Sequence, residues 1–124
     1  MPFKDKAMQL AAQRRHYARN SEAIKANVAK VNIQIRERNK AYVDGIKSIT
    51  PCTDCGVVYP PYVMQFDHVG GDKRGAVANL VREGVSIETL QDEIDKCELV
   101  CGNCHAERTH ARKIDAEESL GEWL

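Results

Sequence analysis

Cys97-Glu98-Leu99-Val100-Cys101-Gly102-Asn103-Cys104-His105-Ala106-Glu107-Arg108-Thr109-His110 is the stretch around which this 124-residue chain is organised. A short strand-like run turns through a Cys-x-x-Cys, and a His follows at once, at the start of an expected helix. The two-residue gap lets both thiolates of Cys101 and Cys104 reach one ion. Such a pair is half of a closed tetrahedral set, and the other half lies upstream: Cys52 and Cys55, with 45 residues between the two pairs. Four thiolates leave no position open for substrate, so Cys52, Cys55, Cys101 and Cys104 are expected to hold a structural Zn²⁺. Cys97 stands outside both pairs in an apolar run and reads as a buried filler. Residues 1–20 are charged and have no apolar leader, so the paired cysteines fit a reducing cytoplasm better than disulfides.

The expected zinc also fixes what surrounds it. It ties the start of one strand to the end of another and so brings His105 across from Phe66-Asp67-His68. A carboxylate (Asp67) and an imidazole (His105) then face each other from different elements. That is a mixed oxygen and nitrogen site suited to Mg²⁺, Mn²⁺ or a similar divalent ion.

Composition agrees with a small stapled domain. Two Phe, four Tyr and one Trp cannot fill a large interior, and a core of this size is marginal without a metal. No apolar run approaches the length of a membrane span, so no membrane partner is expected. The net charge is zero, but its distribution is uneven. Residues 1–50 hold eleven Lys and Arg against four acids, a surplus of seven positive charges, and the remainder carries an equal negative surplus. A basic half of this kind points to a phosphate-bearing partner.

Residues 4–47 read as helical, as one long helix or two in series with a joint at Asn20-Ser21, ending from Gly45 to Pro51. Leu10, Tyr17, Ile24 and Val31 recur every seven residues, with Val28, Ile35 and Tyr42 as a second row. Residues 24–42 thus offer the seam of a packing helix with solvated charges or of a homodimer. The two readings are compatible with Arg14, Arg15 and Arg19 facing DNA phosphate. Downstream, residues 57–59 read as a short strand stopped by Pro60-Pro61, and residues 62–66 as a strand delivering Asp67 and His68 at its end. Gly70-Gly71-Asp72-Lys73-Arg74-Gly75 is a loop with two readings, a plain mobile surface loop or one in which the glycines let the backbone approach a phosphate, with Lys73 and Arg74 as the candidate contacts. A short helix over 76–82 ends at Gly84. Ser86 caps another, running from Ile87 to about Lys96 with Ile87, Leu90 and Ile94 on one face. The last helix is expected over residues 105–118.

Phe66-Asp67-His68 followed by Leu99-Val100-Cys101-Gly102-Asn103-Cys104-His105 resembles the HNH endonuclease family, in particular its members with four zinc-binding cysteines. Many of these are encoded by phages or mobile elements, and a basic N-terminal helix is often attached. The resemblance spans about residues 50–115. It implies the ββα-metal fold, two antiparallel strands and a helix around one divalent ion, and metal-dependent hydrolysis of DNA phosphodiesters. It implies that His68 is the general base that activates water, and that Asp67 and His105 are ligands of the catalytic ion. A phage-encoded relative would act in the host cytoplasm. Recombination endonuclease VII and its kin usually carry Asn after the fourth Cys, where this chain has His105.

The chain departs from the family pattern twice. The middle Asn, which usually holds the loop carrying the base, sits five residues before the third Cys. Here that position is Lys96, and Asn79 and Asn103 are the candidate replacements. Relatives with a further His ligand place it four residues after the first, where this chain has Thr109. His110, one residue on, lies about 140° around a helix from His105 at the helical step of roughly 100° per residue. His110 is therefore a candidate for either metal or DNA. Arg108 and Arg112 share the face of His105 and are candidate phosphate contacts.

The expected architecture is α+β: a basic helical arm over 1–49, a zinc-stapled ββα-metal domain over 50–118, and a tail over 119–124 with Trp123. The alternative function is a zinc ribbon that binds DNA without cutting it, as a regulator or packaging accessory. That alternative gives Asp67 and His68 no role.

Overall fold

The structure, a computed structural model, describes residues 5–122. Trp123 and its expected docking lie outside the described residues. The chain forms two compact units, Met1–Ile35 and Arg36–Leu124. Helix α1 is continuous over Lys6–Ile49. Its start is capped by Asp5, whose carboxylate accepts the Met8 N–H at 2.8 Å.

In the first unit the helix passes through Asn20-Ser21 without a joint. The side chains that favour caps turn back onto the preceding turn instead, Asn20 Nδ2 donating to the His16 carbonyl at 2.8 Å. Leu10, Tyr17, Val28 and Val31 are exposed, so most of the heptad row has no partner within the described residues.

The second unit holds the rest of α1 and the remaining elements: β1 (Met64–His68), α2 (Val77–Glu83), α3 (Ile87–Ile94), β2 (Cys97–Cys101) and α4 (Gly102–Glu122), with one 3₁₀ turn over Pro61–Val63. This is an α+β unit with a two-stranded antiparallel sheet, its register pairing Met64 with Cys101, Asp67 with Glu98 and His68 with Cys97. No helix among the described residues is long and apolar enough to cross a membrane.

Helix α1 ends at Ile49, within the expected stop from Gly45 to Pro51, where Pro51 pushes Thr50 out of helical geometry. Two sequence expectations change. Residues 57–59 form no strand. Val57 and Val58 are exposed, and the first strand begins at Met64, after Pro60-Pro61 has delayed it. Helix α4 starts at Gly102, inside the knuckle, and continues to Glu122, past the expected start of the tail. Ser86 caps α3 as expected, accepting the Thr89 N–H, and Gly84 takes the left-handed conformation (φ 75°) that closes α2.

Two apolar clusters meet at Phe66. One joins Val43 of α1 to Val77, Leu80, Leu90 and Ile94; the other joins Met64, Leu99 and Val100 to Cys52 and Cys101. The α1 contribution is fixed by polar contacts at the end of α2. Arg36 Nε donates to the Arg82 carbonyl at 3.0 Å, and the fully buried Asn39 donates to the Val85 carbonyl at 2.9 Å. The first satisfies a carbonyl that the end of α2 leaves open, and the second one in the turn that follows it. Arg36 and Arg38 therefore anchor the fold through carbonyl contacts while remaining exposed.

Leu90 is fully buried at the centre of the first cluster. Leu90→Ala should cost about 2–5 kcal/mol, read as a lower midpoint in urea unfolding, with the zinc content retained.

Candidate functional site

Local turns aim the cysteine cluster. Gly56, at φ 74°, closes the first knuckle, its N–H donating to the Cys52 carbonyl at 2.9 Å. Thr53 ties that knuckle to β2 through its backbone N–H and its hydroxyl, both donating to the Leu99 carbonyl, at 2.9 and 2.8 Å. The second knuckle turns β2 directly into α4. The four Sγ atoms of Cys52, Cys55, Cys101 and Cys104 lie within 4.8 Å of one another. A tetrahedral Zn²⁺ with Zn–S near 2.3 Å spaces its sulfurs by about 3.8 Å, so the cluster fits that ion.

Backbone donors already point at the sulfurs. Cys101 N–H lies 3.3 Å from Cys52 Sγ, and Cys104 N–H lies 3.4 Å from Cys101 Sγ. Burial pushes the Cys52 thiol up, but the backbone N–H groups of Cys55, Cys101 and Asp54 outweigh it and bring it down to about 6. Cys104 moves the other way, pushed up by its contact with Cys101 and by burial. Four thiols this close do not ionise together by themselves, and a dication removes that conflict. Cys97 stands apart, its thiol directed to the Glu93 carbonyl at 3.3 Å and pushed up to about 11 by burial.

Asp67 and His68 are neighbours on a strand, so their side chains leave it in opposite directions. Asp67 turns to α4. There His105 Nε2 stands 3.7 Å from its Oδ1, the facing pair expected from sequence. Arg112 chelates the carboxylate at 2.9 and 2.6 Å, and Arg108 adds a bond at 2.9 Å. Arg108 also bridges to Asp54 at 2.6 Å and to Glu98 at 3.3 Å. The Arg112 contact, with Arg108 behind it, overcomes burial and holds the Asp67 carboxyl at about 2.

His68 turns to α3, where its Nε2 lies 2.7 Å from Glu93 Oε2. Glu93 is 1% exposed and also receives Lys96 Nζ at 3.0 Å and the Arg74 N–H at 3.2 Å. Burial opposes its ionisation, but these donors prevail and its carboxyl sits below the usual range. Both networks border one open pocket of about 540 Å³, lined by Phe66, Asp67, His68, Lys73, Ala76, His105 and Arg112.

The remaining candidates divide. Lys73 lines the pocket, whereas the exposed Arg74 contributes its backbone N–H to Glu93. His110 is exposed on α4 and forms no hydrogen bond with the Asp67 cluster among the described residues. Arg14, Arg15 and Arg19 are exposed on the first unit. Neither Asn79 nor Asn103 holds the segment after His68; Asn79 accepts from Arg82, and Asn103 is exposed. Lys96 holds it. Its carbonyl accepts the N–H groups of Val69 and Gly70 at 3.0 and 3.3 Å, and its ammonium donates to the Asp72 carbonyl at 2.7 Å.

Glu93 escaped the sequence reading, though it had a signal. It sits three residues after Leu90 and beside Ile94, on the apolar face of α3, where an acid must find partners. The engagement of Asp67 by two arginines had no such signal. No family model, curated protein or solved structure matches this chain.

Purified protein should carry one zinc per chain by elemental analysis. Cys101→Ser should lose it and melt the Arg36–Leu124 unit by circular dichroism, because a structural zinc supplies folding free energy directly. Cys97→Ser should keep the full zinc content.

Proposed function

We propose that this chain is a metal-dependent endonuclease of the HNH type, with the ββα-metal arrangement formed by β1, β2 and α4. The observation that carries the reading is the meeting of His68, Asp67 and His105 at one pocket beside a four-cysteine cluster. A zinc ribbon alone does not require that meeting. The basic side chains Lys73 and Arg112 at the same pocket favour an anionic substrate, and Arg14, Arg15 and Arg19 add exposed charge for duplex DNA.

The donor set fits a catalytic ion. Asp67 Oδ1 and His105 Nε2 face each other, and a carboxylate with an imidazole suits Mg²⁺ or Mn²⁺ with water completing the shell. When bound, such an ion neutralises charge on the phosphoryl oxygens and on the leaving 3′-oxygen. His68 accepts the proton of the attacking water. Its imidazole is not part of the Asp67–His105 pair, so its lone pair remains available as a base. Arg112, with its side chain half exposed, and Lys73 hold the phosphate in line. One such site cuts one strand, so a double-strand break calls for two copies, for which the exposed apolar row of α1 is the candidate seam.

One observation favours a second reading, a zinc protein that binds DNA without hydrolysis. Asp67 already has its charge matched by Arg108 and Arg112, as a purely structural aspartate would.

Supercoiled plasmid separates the two. With Mg²⁺ or Mn²⁺ the wild type should produce nicked or linear DNA, and omission of those ions should abolish cutting while the zinc stays bound. His68→Ala should cut about 100-fold more slowly or worse, the usual range for loss of a general base. If wild type and variant both shift DNA in a gel and neither cuts, the nuclease reading fails and the binding protein takes its place.

A further inference from the structure

The His68–Glu93 contact belongs to no part of the mechanism given above. Glu93 comes from α3, between the two strands in sequence, and is almost wholly buried. A carboxylate removed from water to that degree is costly unless its lone pairs are engaged. Three donors engage them: His68 Nε2, Lys96 Nζ and the Arg74 N–H. Two of those three favour its charge. The ammonium of Lys96 on one oxygen and the Arg74 amide on the other can only donate, and both stabilise the ionised carboxylate over the acid.

An ionised carboxylate can only accept, and this determines the state of the neutral ring. His68 must carry its hydrogen on Nε2, leaving Nδ1 as the basic nitrogen. Nδ1 makes no hydrogen bond within the protein among the described residues, yet no buried side-chain nitrogen or oxygen is left without a partner there. Nδ1 therefore reaches solvent, and the opening that His68 lines is the pocket shared with Asp67 and His105.

We propose that Glu93 is the positioning residue of the nuclease: it holds the His68 ring by Nε2 so that Nδ1 faces the attacking water, with Lys96 as its fixed counter-charge. This rests on the nuclease reading. Lys96 thereby has two roles, because it also holds the segment after His68 through its own carbonyl and ammonium. The base, its carboxylate and the loop behind them form one connected unit. Glu93 touches neither substrate nor metal in this scheme, and its effect passes through the ring alone.

Two measurements test this. The first uses the full-length wild type and needs no variant to fold beyond His68→Ala for assignment. Long-range proton–nitrogen NMR should show a sharp, exchange-protected ring N–H belonging to His68 Nε2, since an N–H donated to a buried carboxylate exchanges slowly. A protected proton on Nδ1, or no protected ring proton on His68, overturns the proposal.

The second is kinetic. Glu93→Gln keeps shape and removes charge. It should lose that protected resonance and lower kcat by about 100-fold or more, by analogy with loss of the orienting aspartate in a Ser-His-Asp triad. KM, zinc content and DNA affinity should stay within about threefold, which a merely structural defect would not allow. A folded Glu93→Gln that cuts at the wild-type rate overturns the inference and leaves the nuclease reading standing. A wild type that cuts nothing sinks both. If Glu93→Gln does not fold, the wild-type NMR result decides alone.

Discussion

Mutual repulsion among four thiolates is the constraint on which the second unit depends. Their sulfurs lie within 4.8 Å, with backbone N–H groups already aimed at two of them. Brought together without a cation, they share protons unevenly, one thiol drawn down and another pushed up. A dication makes that proximity favourable. The sheet has only two strands, which are marginal alone in water, and the cluster joins the Cys52 knuckle to the far end of β2. The register that sets Asp67 opposite Glu98 and His68 opposite Cys97 is held from that end. Phe66 lies where the two apolar clusters meet and transmits the same order toward α3.

Strand geometry then divides two adjacent residues between two charge networks. Asp67 goes to α4 and meets Arg108, Arg112 and His105; His68 goes to α3 and meets Glu93. A one-residue slip in β1 would exchange these partners and destroy both networks. The arrangement of the two networks is therefore a property of strand register, and the cysteine cluster lies at one end of the paired strands.

Much of this was legible in the sequence because it is local. The Cys-x-x-Cys spacings, Ser86 as a cap, Gly84 as a stop and the strands flanking the knuckle each depend on a few neighbouring residues. Gly45 sits inside the last turns of α1 because its cost in a helix, about 1 kcal/mol relative to Ala, is offset by the packing of Val43 and Ile46 around it. Residues 57–59 misled because Val and Tyr favour strands only where a partner strand exists, and none is there. The ion pairs of Asp67 lie 41 and 45 residues away in sequence, and no local pattern announces them. Glu93 was the one distant partner with a visible trace, an acid on the apolar face of a short helix. Lys96 stands in the sequence only as a residue where the resembled pattern has Asn. Its hold on the loop is a matter of tertiary contact, its carbonyl engaging Val69 and Gly70 and its ammonium the Asp72 carbonyl.

The engagement of Asp67 bears on how metal and substrate would enter. Its carboxylate accepts three guanidinium hydrogen bonds, yet Oδ1 still faces His105. The two arginines are not equivalent. Arg108 is largely buried and also bound by Asp54 and Glu98, so releasing it would leave two further acids less well matched. Arg112 has its side chain half exposed and no other acid as partner, so it can leave Asp67 at little cost. A divalent ion arriving at Asp67 and His105 would meet repulsion from Arg112 first, and a phosphate entering the same pocket would offer Arg112 a better-matched anion. Under the nuclease reading, metal and DNA therefore reinforce each other at this residue: each makes it easier for the guanidinium to move from carboxylate to phosphate. Arg108 stays behind as the fixed charge that keeps Asp67 ionised throughout.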